Sequence, residues 1–277
     1  MGARLRFGTS SWSEKSWLGT FYPAGMPPGD WLAHYAEHFD TVEADVTYYR
    51  IPDERLVDGW NAKTPDGFTI AAKFPRSIVH GGDGPKPDGS RVCDFEQVGD
   101  DVLRFLTAMA RLGPKCGPLL LQFPYFNRQA FASARPFLER LDRFLGELPT
   151  QFRYAVEIRN RTWIDQALLE VLRRHRTALV LVDIAYMPHP EVIAGELDIA
   201  TTDFVYGRLI GDRKAIDQIT TRFDQIVVDQ SSRLERWAKL LAGLRERMGE
   251  IVVYANNHYA GHAPDSIRDL IARVGRS

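Results

Sequence analysis

Short apolar runs of strand length recur eight times along the chain, at Leu5–Trp12, Thr41–Tyr49, Phe68–Pro75, Pro118–Pro124, Tyr154–Asn160, Ala178–Ile184, Phe204–Gly211 and Ile251–His258. Most segments between them carry apolar residues at helical spacing, as in Asp94–Leu112 (Phe95, Val98, Val102, Phe105, Leu106, Met109) and Gln230–Met248 (Leu234, Trp237, Leu240, Leu241, Leu244). Strand and helix therefore alternate, as a parallel sheet requires, because its strands are joined by long crossovers. Eight such units predict an α/β fold, a single TIM-type (β/α)8 barrel with its chemistry at the C-terminal ends of the strands. Ala185–Asp203 has the weakest helical pattern, so one crossover is expected to have a short helix or none.

Several runs end in a charge or amide, which makes Glu43, Lys73, Gln122, Glu157, Arg159, Asp183, Arg208 and Asn257 candidates for the mouth. Successive strand side chains point to opposite faces. That alternation predicts that Ala155, Glu157 and Arg159 point into the barrel, as do Lys73 with Ala71, Gln122 with Leu120, Asp183 with Leu181 and Leu179, and Arg208 opposite Leu209. Lys73, Glu157, Arg159, Asp183 and Arg208 are expected to converge within hydrogen-bond or water-bridged reach of one another.

A length of 277 residues suits one barrel domain spanning the whole chain, since the fold takes about 250. A net charge of -1 provides no overall attraction to polyanions, so any nucleic-acid contact has to be local. The basic residues of 230–248 read as the solvated face of a barrel helix. No apolar run approaches the roughly 20 residues of a membrane span, no signal core precedes the first strand, and only Cys93 and Cys116 are present. The expectation is a cytoplasmic protein with no membrane partner.

Aromatic residues gather where the strands end: Trp12, Trp17, Phe21, Tyr22, Tyr48, Tyr49, Trp163 and Tyr259. Such a rim can stack on a sugar ring or base while Arg159, Arg208, Asn256 and Asn257 hydrogen-bond its polar edges. The Gly/Pro-rich stretch Arg76–Val92, which contains His80, is long enough to read as a lid. His34 and His38 stand four apart beside Tyr35 and Phe39 and read as structural; no metal set is assigned and no cofactor is named. Gly261 and His262 precede Pro264 at a helix start, which predicts an anion site shared with Arg208.

Taken together, Phe7-Gly8-Thr9-Ser10-Ser11-Trp12, Trp17-Leu18-Gly19-Thr20-Phe21-Tyr22-Pro23, Val42-Glu43, Thr47-Tyr48-Tyr49, Leu121-Gln122-Phe123-Pro124, Glu157-Ile158-Arg159, Thr162-Trp163 and Tyr254-Ala255-Asn256-Asn257 resemble the YecE-like family, domain of unknown function 72. The resemblance runs from about Leu5 to Leu270 and implies a TIM-type barrel, but no settled activity. A hydrolase role like that of endonuclease IV, suggested for the family, comes only with the resemblance. This chain departs from the family pattern at Ala44-Asp45, which replaces a hydrophobic residue and Asn, and at Asn160, which replaces a frequent His.

The expected function is an enzyme acting on a small polar ligand that carries phosphate or sugar, a class that includes nucleotides and nucleic acid. Glu157 or Asp183 would act as general acid or base and Lys73 as charge stabiliser or proton donor. Arg159 and Arg208 would clamp an anion, with Asn256, Asn257, Gln122, Glu43, Trp12, Tyr48 and His80 completing the binding set. The alternative is a non-catalytic nucleic-acid-binding protein that uses an aromatic and basic rim.

Overall fold

The computed structural model describes residues 2–82 and 84–275. In chain order its elements are β1 (Arg4–Thr9), α1 (Trp31–Ala36), β2 (Thr41–Ala44), α2 (Glu54–Lys63), β3 (Thr69–Lys73), α3 (Arg76–Val79), α4 (Phe95–Ala110), β4 (Cys116–Gln122), α5 (Ala134–Glu147), β5 (Tyr154–Glu157), α6 (Gln166–Arg174), β6 (Ala178–Ile184), α7 (Pro190–Glu196), β7 (Phe204–Gly211), α8 (Arg213–Ile219), α9 (Ser231–Arg245), β8 (Glu250–Ala255) and α10 (Ala263–Val274). The eight strands form one parallel sheet in the order β1-β8-β7-β6-β5-β4-β3-β2, curled into a TIM-like barrel. The weakly patterned crossover holds only the short α7. Among the described residues no helix is long and apolar enough to cross a membrane.

The hydrogen-bonded ladder leaves β1 and β2 as its two ends, and a side chain joins them. The Thr9 N–H donates to the Tyr35 hydroxyl at 2.8 Å, and that hydroxyl lies 3.2 Å from the Thr41 carbonyl, to which it donates. Gly8 permits the close approach: a Cβ there would meet the Thr41 carbonyl oxygen at 2.1 Å.

Inside the barrel the side chains form layers, as small barrels require. At the N-terminal end Glu250 accepts from Arg6 at 2.7 Å and from Arg153 at 2.5 Å. The middle is apolar and aromatic, built from Ala71, Leu120, Ala155, Val180, Tyr206, Val252 and Tyr254. The C-terminal layer carries the charge.

In β6 the inside and outside of the barrel are exchanged relative to the expectation. Ala178, Val180, Val182 and Ile184 belong to the interior cluster, while Leu179 and Leu181 pack with the residues under the helices. Asp183, expected inward, therefore lies on the outer face. There it accepts from the Trp237 indole at 3.0 Å, from the Tyr259 hydroxyl at 3.2 Å, and from Arg233 of α9. Both faces of this strand are apolar, so alternation alone could not say which was inside. Two basic residues of α9 are likewise engaged, Arg233 with Asp183 and Arg236 with Glu191, as is Arg247 just beyond its end with Asp198.

Candidate functional site

Arg208 organises the mouth. Its side chain is 2% exposed and its guanidinium donates to Glu43 at 2.8 Å, Glu157 at 2.5 Å and Gln122 at 2.8 Å, so one cation joins residues of β2, β4, β5 and β7. Each acid has a further donor: Tyr206 gives its hydroxyl to Glu43 at 2.6 Å, and Arg159 donates to Glu157 at 2.9 Å. Burial alone would raise the Glu157 carboxyl, but Arg208 and Arg159 more than reverse this and hold it at about 2. Glu43 is treated similarly: burial pushes it up, and Arg208 and Lys73 bring it below its usual range. Both acids are therefore anions at neutral pH and poor proton donors.

Lys73 closes the layer from β3, its Nζ 3.5 Å from Glu43. Among the described residues this amine makes that ion pair and no hydrogen bond. Burial, opposed by Glu43 and reinforced by Arg208, leaves its ammonium below the ordinary lysine value. Asp45 follows β2 in a 3-10 turn, and its carboxyl shifts the other way: burial raises it while the charge on Lys73 pulls it down. An amine and a carboxyl shifted towards each other are suited to exchanging a proton.

Arg159 lies beyond the β5 ladder with 23% of its side chain exposed, and half-buried Tyr48 senses its charge. Beside this layer a cavity of about 390 Å³ opens between β1, β2 and β8, lined in part by Ser10, Trp12, Asp45, Asn256, Asn257 and His258. Among the described residues the Ser10 hydroxyl, buried there, has no hydrogen-bond partner.

Glu43, Lys73, Gln122, Glu157, Arg159 and Arg208 are thus brought together, with Trp12 and Asn256 on the neighbouring cavity wall. Asp183 is not among them. Asn257 lines the cavity, but its Oδ1 ties the Trp17 indole (3.2 Å) to the first amide of α10, Ala263 (3.0 Å). Asn256 Oδ1 accepts from the His258 backbone at 3.0 Å. His80 is buried directly after α3, and Arg140 anchors the segment that follows through the Gly89 and Ser90 carbonyls, both at 2.8 Å. At the expected anion site Arg208 is engaged with acids, Asn257 occupies the Ala263 amide and a Cβ on Gly261 would meet the Gln225 carbonyl at 2.6 Å, while His262 Nε2 is buried without a hydrogen-bond partner among the described residues.

Tyr206 is not among the residues expected at the site, and Asp45 is expected there only as an added negative charge, without a role. The departure of Ala44-Asp45 from the family pattern was the available signal for Asp45; Tyr206 stands two residues before Arg208, the spacing that puts both on one strand face.

Residues 6–277 match the family model described as protein of unknown function DUF72. The chain is similar to the UPF0759 protein YecE of Escherichia coli K12, with 32% identity over 198 residues, which is 68% of this chain and 64% of that relative's length. Among solved structures it is similar to a DUF72 family protein of Thermotoga maritima, with a TM-score of 0.70 and 25% identity over 99% of this chain and 98% of the other. It also resembles one of Enterococcus faecalis in fold, with a TM-score of 0.69 and 22% identity over 99% and 96% of the two chains.

Proposed function

The chain belongs to the DUF72 family, whose function is unknown, and we propose from the geometry of its barrel mouth that it is an enzyme that binds a small polar ligand carrying phosphate or sugar and moves protons on it. Lys73 is the proton-transfer group, with Asp45 as the acid that works with it. Arg159, partly exposed and held in place by Glu157, meets the anionic part of the ligand. Glu43, Glu157 and Arg208 are positioning residues that hold Lys73 and Arg159 and do not titrate during turnover.

The observation that carries this reading is Lys73 itself. Lys115, also buried, donates to the Asn61 and Thr64 carbonyls at 2.8 and 2.6 Å and so serves the end of α2. Lys73 has no such structural use and sits in a charged layer, where apolar packing would give greater stability. The test is a screen of phosphorylated sugars and nucleotides for turnover with the purified protein. Turnover lost in Lys73→Met and kept in Asp183→Asn supports the reading; turnover kept in Lys73→Met refutes the role of Lys73.

A second reading rests on a separate observation: Tyr49, Tyr125 and Tyr186, which follow β2, β4 and β6, are 76%, 63% and 57% exposed. A non-catalytic nucleic-acid-binding protein would use them as stacking platforms. Salt-sensitive retention of a single-stranded oligonucleotide, weakened by Tyr186→Ala and without turnover, would favour it.

A further inference from the structure

We infer that His34, Glu37 and His38, at the C-terminal end of α1, form a binding site for a borderline divalent metal ion of the Zn²⁺ class. The site is separate from the barrel mouth and does not depend on the proposed function. The Nε2 atoms of His34 and His38 face each other at 3.2 Å. Two imidazoles on one tetrahedral Zn²⁺, each at 2.0–2.1 Å, would hold their nitrogens about 3.3 Å apart. The pair therefore already has the separation that a shared ion imposes.

Further ligands are at hand. One ligand atom from each of His34, Glu37 and His38 can be chosen so that all lie within 4.8 Å of one another. The Glu37 carboxylate is 3.6 Å from His34 Nδ1, and the side chain, 71% exposed, is free to swing towards the imidazole pair. The Phe21 carbonyl lies 3.3 Å from His34 Nε2 and offers another oxygen. The Phe21 ring packs edge-on against both imidazoles, at 5.9 and 5.3 Å, which fixes their orientation.

The donor set selects the ion. Two imidazoles and one carboxylate suit Zn²⁺, Ni²⁺ or Cu²⁺ rather than Mg²⁺ or Ca²⁺, which take oxygen ligands. Arg268, over the Phe21 ring at 5.4 Å, adds a positive charge that opposes any divalent ion, so affinity here has to come from the nitrogen donors. A bound ion would tie Phe21 to α1. Because Trp17 packs on Phe21 at 5.6 Å and lines the mouth cavity, the ion would stiffen one wall of that cavity.

The same nitrogen separation is open to a metal-free N–H···N hydrogen bond, and titration separates the two. Zn²⁺ is titrated calorimetrically into metal-free, tag-free protein. The expected result is one equivalent bound, with affinity lowered about tenfold or more in His38→Gln and His34→Gln and by less in Glu37→Gln. At about 100 times its dissociation constant, Zn²⁺ should raise the unfolding midpoint of the wild type by about 5 °C and leave that of His38→Gln in place. His258→Gln, away from the site, should bind as the wild type does. Wild-type affinity in the His34→Gln/His38→Gln double variant, or no uptake of Zn²⁺, Ni²⁺ or Cu²⁺ by the wild type, would overturn the assignment.

Discussion

Two buried acidic centres lie on opposite faces of the same barrel wall, and they differ in what they leave unbonded. On the outer face, Asp183 is surrounded by donors from a covering helix and loop: Arg233, the Trp237 indole and the Tyr259 hydroxyl, with His189 Nε2 at 3.7 Å. The carboxylate is fully answered, His189 Nε2 is left without a hydrogen bond among the described residues, and α9 lies over them. On the inner face, Glu43 and Glu157 are equally well supplied by Arg208, yet Lys73 and Arg159 beside them keep donor capacity. A buried charge is therefore a weak sign of function by itself; a donor left over at an open end is a stronger one.

Arg208→Met should produce the largest effect, because it removes at once the shared guanidinium of two buried carboxylates, leaving each with fewer donors. Urea unfolding should show a loss of about 3–5 kcal/mol, the usual cost of removing one partner of a buried ion pair. A loss as small as that expected for an exposed pair would mean that the mouth layer is wetter than its contacts imply.

Acid should then weaken the inner centre. The Glu157 carboxyl lies at about 2 in the folded protein against an ordinary 4.5, so its contribution to stability is present above the ordinary value and is lost as pH falls from about 4.5 towards 2. Unfolding curves collected across that window should show the loss in the wild type and much less of it in Glu157→Gln. An unchanged acid limb in the variant would contradict the assigned depression.

Asp183→Asn should cost less than Arg208→Met, about 1–3 kcal/mol, since Arg233 is 35% exposed and can turn to water while the amide oxygen still accepts a hydrogen bond. Losses of equal size in the two variants would remove the distinction between the two centres. The smallest effect is expected from Lys73→Met, within about 1 kcal/mol of wild type, because Glu43 keeps Arg208 and Tyr206 and a desolvated charge is released. A loss of several kcal/mol there would make Lys73 a structural residue like Lys115.

The strands were largely legible from the sequence: β6 and β7 run over Ala178–Ile184 and Phe204–Gly211 as expected, because apolar runs bounded by turn residues have few other uses in an α/β chain. Runs at other mouth positions were expected to extend further than their ladders: β2 stops at Ala44 and β8 at Ala255, where turns take over. Most of the inner charged layer was legible too, since small residues such as Ala71 and Ala155 shared a strand face with the charges. Asp183 was misplaced because its neighbours on both faces are apolar, and because its partners Arg233 and Trp237 come from a helix 50 and 54 residues away. The structural partners of Asn257, Trp17 and Ala263, were illegible for the same reason, since tertiary packing sets them. The Tyr35 bridge between β1 and β2 has no local pattern at all.

A reactive amine at Lys73 would show itself most directly in its own titration. Trace acetylation with acetic anhydride across a pH series, read for each lysine by peptide mass spectrometry, reports the fraction of free amine at each site, with exposed Lys15, Lys86 and Lys214 as internal references. Lys73 should be labelled with a midpoint clearly below those of the references, because burial lowers its ammonium. A midpoint equal to theirs, or no labelling at any pH, would contradict the account.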